Sequence, residues 1–181
     1  MATNRCVALL RGINVGGRNP VKMADLRDCF ENDGHTEVRT YIQSGNVLFT
    51  TDTPVKGLEE RLESMLEARF GMPLVVVVRT LRQLRSVVED APAGFGKAPD
   101  RYHSDAIFLR APLTPAQAMK VVHLRDGVDQ AWPGKGVLYF ARLSEQRTKS
   151  KLSKIIGTPE YQQMTIRSWA TTTKLLALLD G

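Results

Sequence analysis

The amino-acid sequence predicts an α+β fold, and three observations carry that prediction. Short blocks recur along the chain. Ala8-Leu9-Leu10-Arg11 is echoed by Ile107-Phe108-Leu109-Arg110, Val47-Leu48-Phe49 by Val137-Leu138-Tyr139, and Val77-Val78-Arg79-Thr80 by Thr165-Ile166-Arg167-Ser168. Each half reads strand, helix, strand, strand, helix, strand, then one more helix; the first six elements are the order of the ferredoxin-like unit. Between the halves lies a stretch with Pro92, Gly94, Gly96 and Pro99, a composition that punctuates rather than packs. The chain is therefore expected to form two ferredoxin-like halves in tandem, residues 1–95 and 96–181, packed as a pseudo-dimer.

The elements of the first half follow from local pattern. Cys6–Arg11 is an apolar run, a buried strand. Asn19-Pro20 supplies a cap and a first-turn proline. Met23, Leu26 and Phe30 mark one helix face, and Gly34 ends the helix. Glu37–Ile42 and Val47–Thr51 flank the turn Gln43-Ser44-Gly45-Asn46. Leu58, Leu62, Met65, Leu66 and Phe70 share one face of an amphipathic helix closed by Gly71. Leu74–Arg79 is β-branched and reads as a strand. Leu81, Leu84 and Val88 give a short helix capped by Thr80.

The second half repeats the order. Ala106–Leu109 is a strand, and Thr114-Pro115 starts a helix running to about Leu124. Val128–Trp132 and Val137–Ala141 form a hairpin. A helix is expected over roughly Ser150–Ile156, a strand over Met164–Arg167, and a final helix from Ser168 with Trp169, Leu175, Leu176 and Leu179 inward.

Composition excludes several classes. Of 181 residues, 43% are hydrophobic and 24% charged, an ordinary globular balance. No apolar run approaches the roughly 18 residues of a membrane span, and the run Cys6–Leu10 is short for a secretory signal, so no membrane partner and a cytoplasmic location are expected. Cys6 and Cys29 match no zinc or redox spacing and read as small core residues. His35, His103 and His123 are scattered, read as surface or cap residues, and give no metal site; no cofactor is called for.

Charge is divided unevenly. Residues 1–95 carry 12 Lys/Arg and 12 Asp/Glu, so the whole net charge of +6 falls in residues 96–181. It peaks where Arg142, Arg147, Lys149, Lys151 and Lys154 face only Glu145. A solvated helix explains that run; so does contact with a polyanion such as nucleic acid.

The copies differ most between their first strand and their hairpin, where the first has nine extra residues by the letter offsets of 99 and 90. Gly12-Ile13-Asn14-Val15-Gly16-Gly17 lies there, leading from a strand into a helix start. Free backbone amides and the helix dipole favour anions at such a place. Arg11, Arg18 and Lys22 surround it, yet it matches neither GxGxxG nor the P-loop. Right-handed crossovers put the first two strands parallel with the third between them. That places Gln43-Ser44-Gly45-Asn46 beside the glycine loop. Turn geometry accounts for Gly45 and Asn46, but a turn has no need of Gln43.

These two loops also carry a resemblance. Arg11-Gly12-Ile13-Asn14-Val15-Gly16-Gly17, Met23-Ala24-Asp25-Leu26-Arg27 and Tyr41-Ile42-Gln43-Ser44-Gly45-Asn46-Val47 closely resemble the signature of the bacterial family known as domain of unknown function 1697. Ser150-Lys151-Leu152 and Thr165-Ile166-Arg167-Ser168-Trp169 look like its C-terminal pattern, with Ser168 where that pattern has Asn. The resemblance implies an α+β fold and a bacterial intracellular protein; it brings no activity, cofactor or catalytic residue.

The reading that follows is non-metal binding of a phosphate-bearing ligand, a nucleotide or nucleic acid. Its candidate residues are Arg11, Gly12, Asn14, Gly16, Gly17, Lys22, Gln43, Ser44 and Asn46. Arg147, Lys149, Lys151 and Lys154 are candidate polyanion contacts, with Arg167 and Trp169 as further candidates. An enzyme acting on a phosphorylated or acyl substrate in the same pocket is the alternative. No catalytic residue is assigned, because Ser44 lacks a GxSxG context and no histidine lies in either motif. A protein-interaction module without a small ligand is a third reading. RNA stacking on the first sheet is disfavoured, because its first strand is apolar on both faces.

Overall fold

A computed structural model describes residues 2–181. The chain forms two compact units. One holds the chain up to Leu84 together with Leu175–Gly181; the other is Arg85–Lys174.

The first unit begins with β1 (Asn4–Leu10), α1 (Met23–Asn32), β2 (Thr36–Tyr41), β3 (Asn46–Thr51), α2 (Leu58–Phe70) and β4 (Val76–Thr80). Its sheet order is β2-β3-β1-β4, every neighbouring pair antiparallel. Since β3 lies between β1 and β2, those two run the same way. Cys6, Ala8 and Leu10 alternate into a core with Phe49, Val76 and Val78 under Leu26, Phe30, Leu62 and Leu66 of the two helices. Val7, Leu9, Leu48 and Val77, on the opposite face, are also buried. Phe49 sits in the helix-side core, so β3 presents no aromatic for base stacking.

Local chemistry sets the helix ends. Gly34 and His35 donate to Glu31 O and Phe30 O, and Gly34 has φ 94°, a Schellman closure of α1. Asn19-Pro20 is not the cap the sequence suggests. The helix begins at Met23 behind Lys22, without a side-chain cap. Asn19 instead closes the preceding loop, donating to Gly12 O at 3.0 Å. Strand β4 is an edge, and α2 covers it: Glu63 accepts from Val76 N at 2.9 Å and Glu59 from Val78 N at 2.8 Å. Charged groups over edge amides block further pairing. Thr80 and Gln83 form a reciprocal cap for α3 (Leu81–Glu89), as Thr80 promised.

The second unit contains β5 (Tyr102–Leu109), α4 (Pro115–Val121), β6 (Asp129–Gly134), β7 (Val137–Leu143) and β8 (Met164–Ser168); α5 (Trp169–Asp180) follows. Its sheet order, β6-β7-β5-β8, repeats the first. Two expectations fail here. The helix expected over Ser150–Ile156 is a series of short 3-10 helices, Ser144–Lys149, Leu152–Gly157 and Pro159–Gln163. Gly157 and Pro159 interrupt the segment; Leu152 and Ile155 are buried in the core and Tyr161 packs partly buried against it, while Ile156 stays exposed. The proline- and glycine-rich stretch between the halves packs within the second unit, because Phe95 is buried against Trp132, Tyr139 and Trp169.

Register also corrects the alignment of the copies. Leu10 N donates to Gly45 O and Leu109 N to Gly136 O; Arg11 N donates to Val75 O and Arg110 N to Gln163 O. The structural offsets between the two units are therefore 99, 91 and 88, so the first unit has eight extra residues before its hairpin strand. A one-residue slip exchanges sheet faces, which makes Val47 the counterpart of Leu138 rather than Val137.

Candidate functional site

Twelve residues, Arg11 to Lys22, join β1 to α1, against five, Arg110 to Thr114, at the matching place in the second unit. Gly12, Asn14, Gly16, Gly17 and Asn19 all have positive φ. Gly16 and Gly17 form a two-residue turn closed by Arg18 N donating to Val15 O at 3.0 Å. Such a turn needs positive φ at both central residues, which glycine adopts without steric cost.

Asn14 fastens this loop. Its Nδ2 donates to Val21 O and to Gln43 O, both at 2.9 Å, and its Oδ1 accepts from Val21 N at 2.8 Å. One side chain thus ties the loop to its own far end and to the hairpin turn. The two loops touch as the topology requires. Gly45 seals the contact: with φ 86°, a Cβ there would lie 2.7 Å from Ile13 Cδ1 and 2.9 Å from Leu10 Cβ.

The candidate residues separate into two groups. Asn14 and Asn46 spend their amides internally. Asn46 is fully buried, with Nδ2 donating to Tyr41 O at 2.9 Å and Ser44 Oγ at 3.0 Å. Both hold the scaffold rather than face a ligand. Gly12, Gly16, Gly17, Arg18, Lys22 and Gln43 are exposed, while Arg11 and Ser44 are half-buried. Ile13, fully buried beneath Gly45, is a structural member the motif did not single out as such. Ile42 is β-branched, has φ 51° and is 49% exposed; Val15, on the other loop, is 62% exposed.

The other candidates lie in the second unit. Arg147, Lys149 and Lys154 are exposed, spread over two 3-10 helices rather than along one helix face. Lys151 is half-buried, and its backbone amide donates to Asp129 Oδ2 at 2.8 Å. Arg167 is buried on β8; it donates to Ile166 O at 3.0 Å, and desolvation lowers its pKa to about 10. Trp169 opens α5.

Two features escaped sequence reading. His35 is buried rather than a surface cap. Its Nδ1 lies 3.0 Å from Thr51 Oγ1 and its Nε2 3.2 Å from Asp33 Oδ2; burial pushes its pKa down. In the second unit, Asp105 is buried beside His103 at 3.4 Å and Arg142 at 3.9 Å. Among the described residues, no group of three or more His, Cys, Asp or Glu could hold a metal ion, and no helix is long and apolar enough to cross a membrane.

A family model described as a protein of unknown function, DUF1697, matches residues 3–139. The chain belongs to the DUF1697 family. The match takes in the glycine loop, the hairpin turn and β5 to Tyr139; the motifs at 150–152 and 165–169 lie beyond it. Among solved structures, the conserved bacterial protein SP0830 from Streptococcus pneumoniae is similar, with 30% sequence identity and a TM-score of 0.86 over 98% of this chain and 99% of that chain. No curated protein matches. As a DUF1697 member the chain shares its fold with that relative.

Proposed function

We propose that this DUF1697 protein binds a phosphate-bearing ligand, a nucleotide or nucleic acid, without a metal, at the loop Gly12–Lys22 and the turn Gln43–Ser44. Each unit serves as a ferredoxin-like scaffold, and the two buried free cysteines suit a reducing cytoplasm. One observation carries the reading. An exposed loop with five left-handed residues, ringed by Arg11, Arg18 and Lys22, is clamped rigidly by Asn14 while its glycines stay open. A loop needed only for a turn would not require twelve residues where its counterpart uses five. Successive amides in alternating right- and left-handed or turn conformations form anion-binding concavities, and a preformed site avoids the ordering cost of binding.

Inorganic pyrophosphate tests the reading by isothermal titration calorimetry. Replacing both Arg18 and Lys22 with Ala should weaken binding by about tenfold or more, as loss of charge-assisted contacts does. Thermal unfolding should stay unchanged. Wild-type protein that takes up no pyrophosphate, or variants that bind it equally well, would reject the proposal.

A protein-interaction role is the second reading. Val15 and Ile42 favour it, since large apolar side chains at two touching loop tips are what a partner would cover. Ile42 in particular holds a backbone conformation that β-branched residues avoid.

A further inference from the structure

The second unit contains a cavity of about 600 Å³ that the glycine loop and the basic cluster do not use. Its lining includes Lys97, Tyr102, His103, Ser168, Trp169 and Thr173. The volume is in the range of small-molecule sites.

Its aromatic wall is fixed in place. Trp169 packs edge-to-face on Phe95, with ring centroids 4.9 Å apart at 82°, and lies 6.1 Å from the Tyr139 ring. Gly96, with φ 73°, lets the indole sit directly against the backbone; a Cβ there would collide with it. An indole held on two sides has little rotamer freedom to lose when a planar group stacks on it.

On the opposite face of the same sheet, that of Ile107 and Phe140, lies a buried carboxylate. His103 Nε2 is 3.4 Å from Asp105 Oδ1, and Arg142 Nη2 is 3.9 Å from Asp105 Oδ2. Burial raises the Asp105 pKa, while His103 and Arg142 pull it back. The fold does not demand this arrangement. At the offsets of 99 and 91, the first-unit counterparts of His103, Asp105 and Arg142 are Asn4, Cys6 and Thr51. Cys6 is a fully buried thiol whose pKa is pushed up to about 12, an inert core residue. The same strand position in the same topology is thus filled without charge in one copy and with a costly buried carboxylate in the other. The carboxylate engages Nε2 of His103 and so holds that imidazole on its own face of the sheet.

We propose that this cavity is a second ligand site, for a planar aromatic anion of the nucleoside monophosphate class. The ring stacks on Trp169 and Lys97 pairs with the phosphate. The start of α5 at Trp169 adds the positive end of a helix dipole on the same side.

The test titrates adenosine 5′-monophosphate into the full chain carrying Trp132→Phe, which leaves Trp169 as the one indole of the two in the sequence. Saturable quenching of its fluorescence is expected. Adenosine should bind at least tenfold more weakly, and inorganic phosphate should not quench. Lys97→Gln should weaken the monophosphate by about tenfold, the loss of a charge-assisted contact, and leave adenosine unchanged. Gly96→Ala should abolish quenching by displacing the indole; if that variant does not fold, the exposed Lys97→Gln decides the matter. The double replacement of Arg18 and Lys22 should leave this titration untouched, so failure here and failure at the glycine loop are separable. No saturable quenching at millimolar adenosine monophosphate, or equal binding by Lys97→Gln, would overturn the site.

Discussion

Leu10 and Leu109 stand at the same point of two sheets with the same strand order, yet the chain leaves them differently. After Leu109 it needs five residues to reach a helix; after Leu10 it uses twelve, five of them left-handed. The hairpins differ in the same direction: four residues connect β2 to β3, and two connect β6 to β7. Both enlargements lie at one end of the first sheet and are tied together by Asn14. The second unit spends its difference elsewhere. It gives up the long covering helix for 3-10 segments and places a buried carboxylate where its twin has a thiol. Two units with the same strand order therefore show which features the fold requires, namely those they share. The loop, the turn and the Asp105 cluster are what the fold does without.

The comparison breaks most sharply at the shared core. Leu62→Ala empties a fully buried position of the first unit and should cost about 2–5 kcal/mol in denaturant unfolding. Arg18→Ala, on the added loop, should stay within about 0.5 kcal/mol. Similar losses from both would mean that the loop is part of the core.

The fastening of the loop comes next. Asn14→Ala leaves Val21 N, Val21 O and Gln43 O without a partner and should destabilise by about 2–3 kcal/mol. Gly45→Ala, facing Ile13 and Leu10 at positive φ, should cost a similar amount, about 1–3 kcal/mol. Gly16→Ala meets open space and should cost only the left-handed penalty of about 1–2 kcal/mol. A Gly16→Ala loss above that of Gly45→Ala in chemical denaturation would contradict the assigned packing.

A smaller effect distinguishes the units by pH. His35 is buried with its pKa pushed below the ordinary value of 6.5, desolvation outweighing Asp33. The unfolded chain takes up a proton near 6.5 and the folded chain resists, so stability falls as pH drops from there toward the folded value. His35→Gln should remove that part of the decline in Tm between pH 7.5 and 5. An unchanged pH slope would show that His35 titrates normally.

The smallest expected effect concerns the basic segment. If Arg147, Lys149, Lys151 and Lys154 touch nucleic acid, affinity should fall with salt by a log–log slope near −0.9 per phosphate on duplex DNA. Lys149→Ala with Lys151→Ala should flatten it by about one to two units. Absence of retention at low salt would leave the segment a solvated surface.

Much of this was readable from the letters. Five apolar residues on one face gave α2, Gly71 gave its end, and Gln43–Asn46 gave the turn. The letters misled where they look alike. Val137-Leu138-Tyr139 mimics Val47-Leu48-Phe49, but the bonds to Gly45 and Gly136 set a register one residue away. Phe95 was hidden in a proline- and glycine-rich stretch, although an aromatic there is itself a sign of packing. The Asp105 cluster could not be read at all, since Arg142 comes within reach of Asp105 only through the pairing of β5 with β7. The motif marks Asn14 as a binding candidate, whereas its amide is committed to the loop, a distinction that hydrogen-bond geometry alone makes.

The most direct measurement of the central claim is a ¹H–¹⁵N correlation spectrum of the full chain titrated with inorganic pyrophosphate. The amides of Gly12, Gly16, Gly17, Gln43 and Ser44 should shift together and saturate along one isotherm. Replacing Arg18 and Lys22 with Ala should abolish the response while the amides of β1 and β3 keep their positions. Shifts that leave these five amides unmoved, or that gather only around Lys149 and Lys154, would contradict the assignment of the enlarged loop as the binding site.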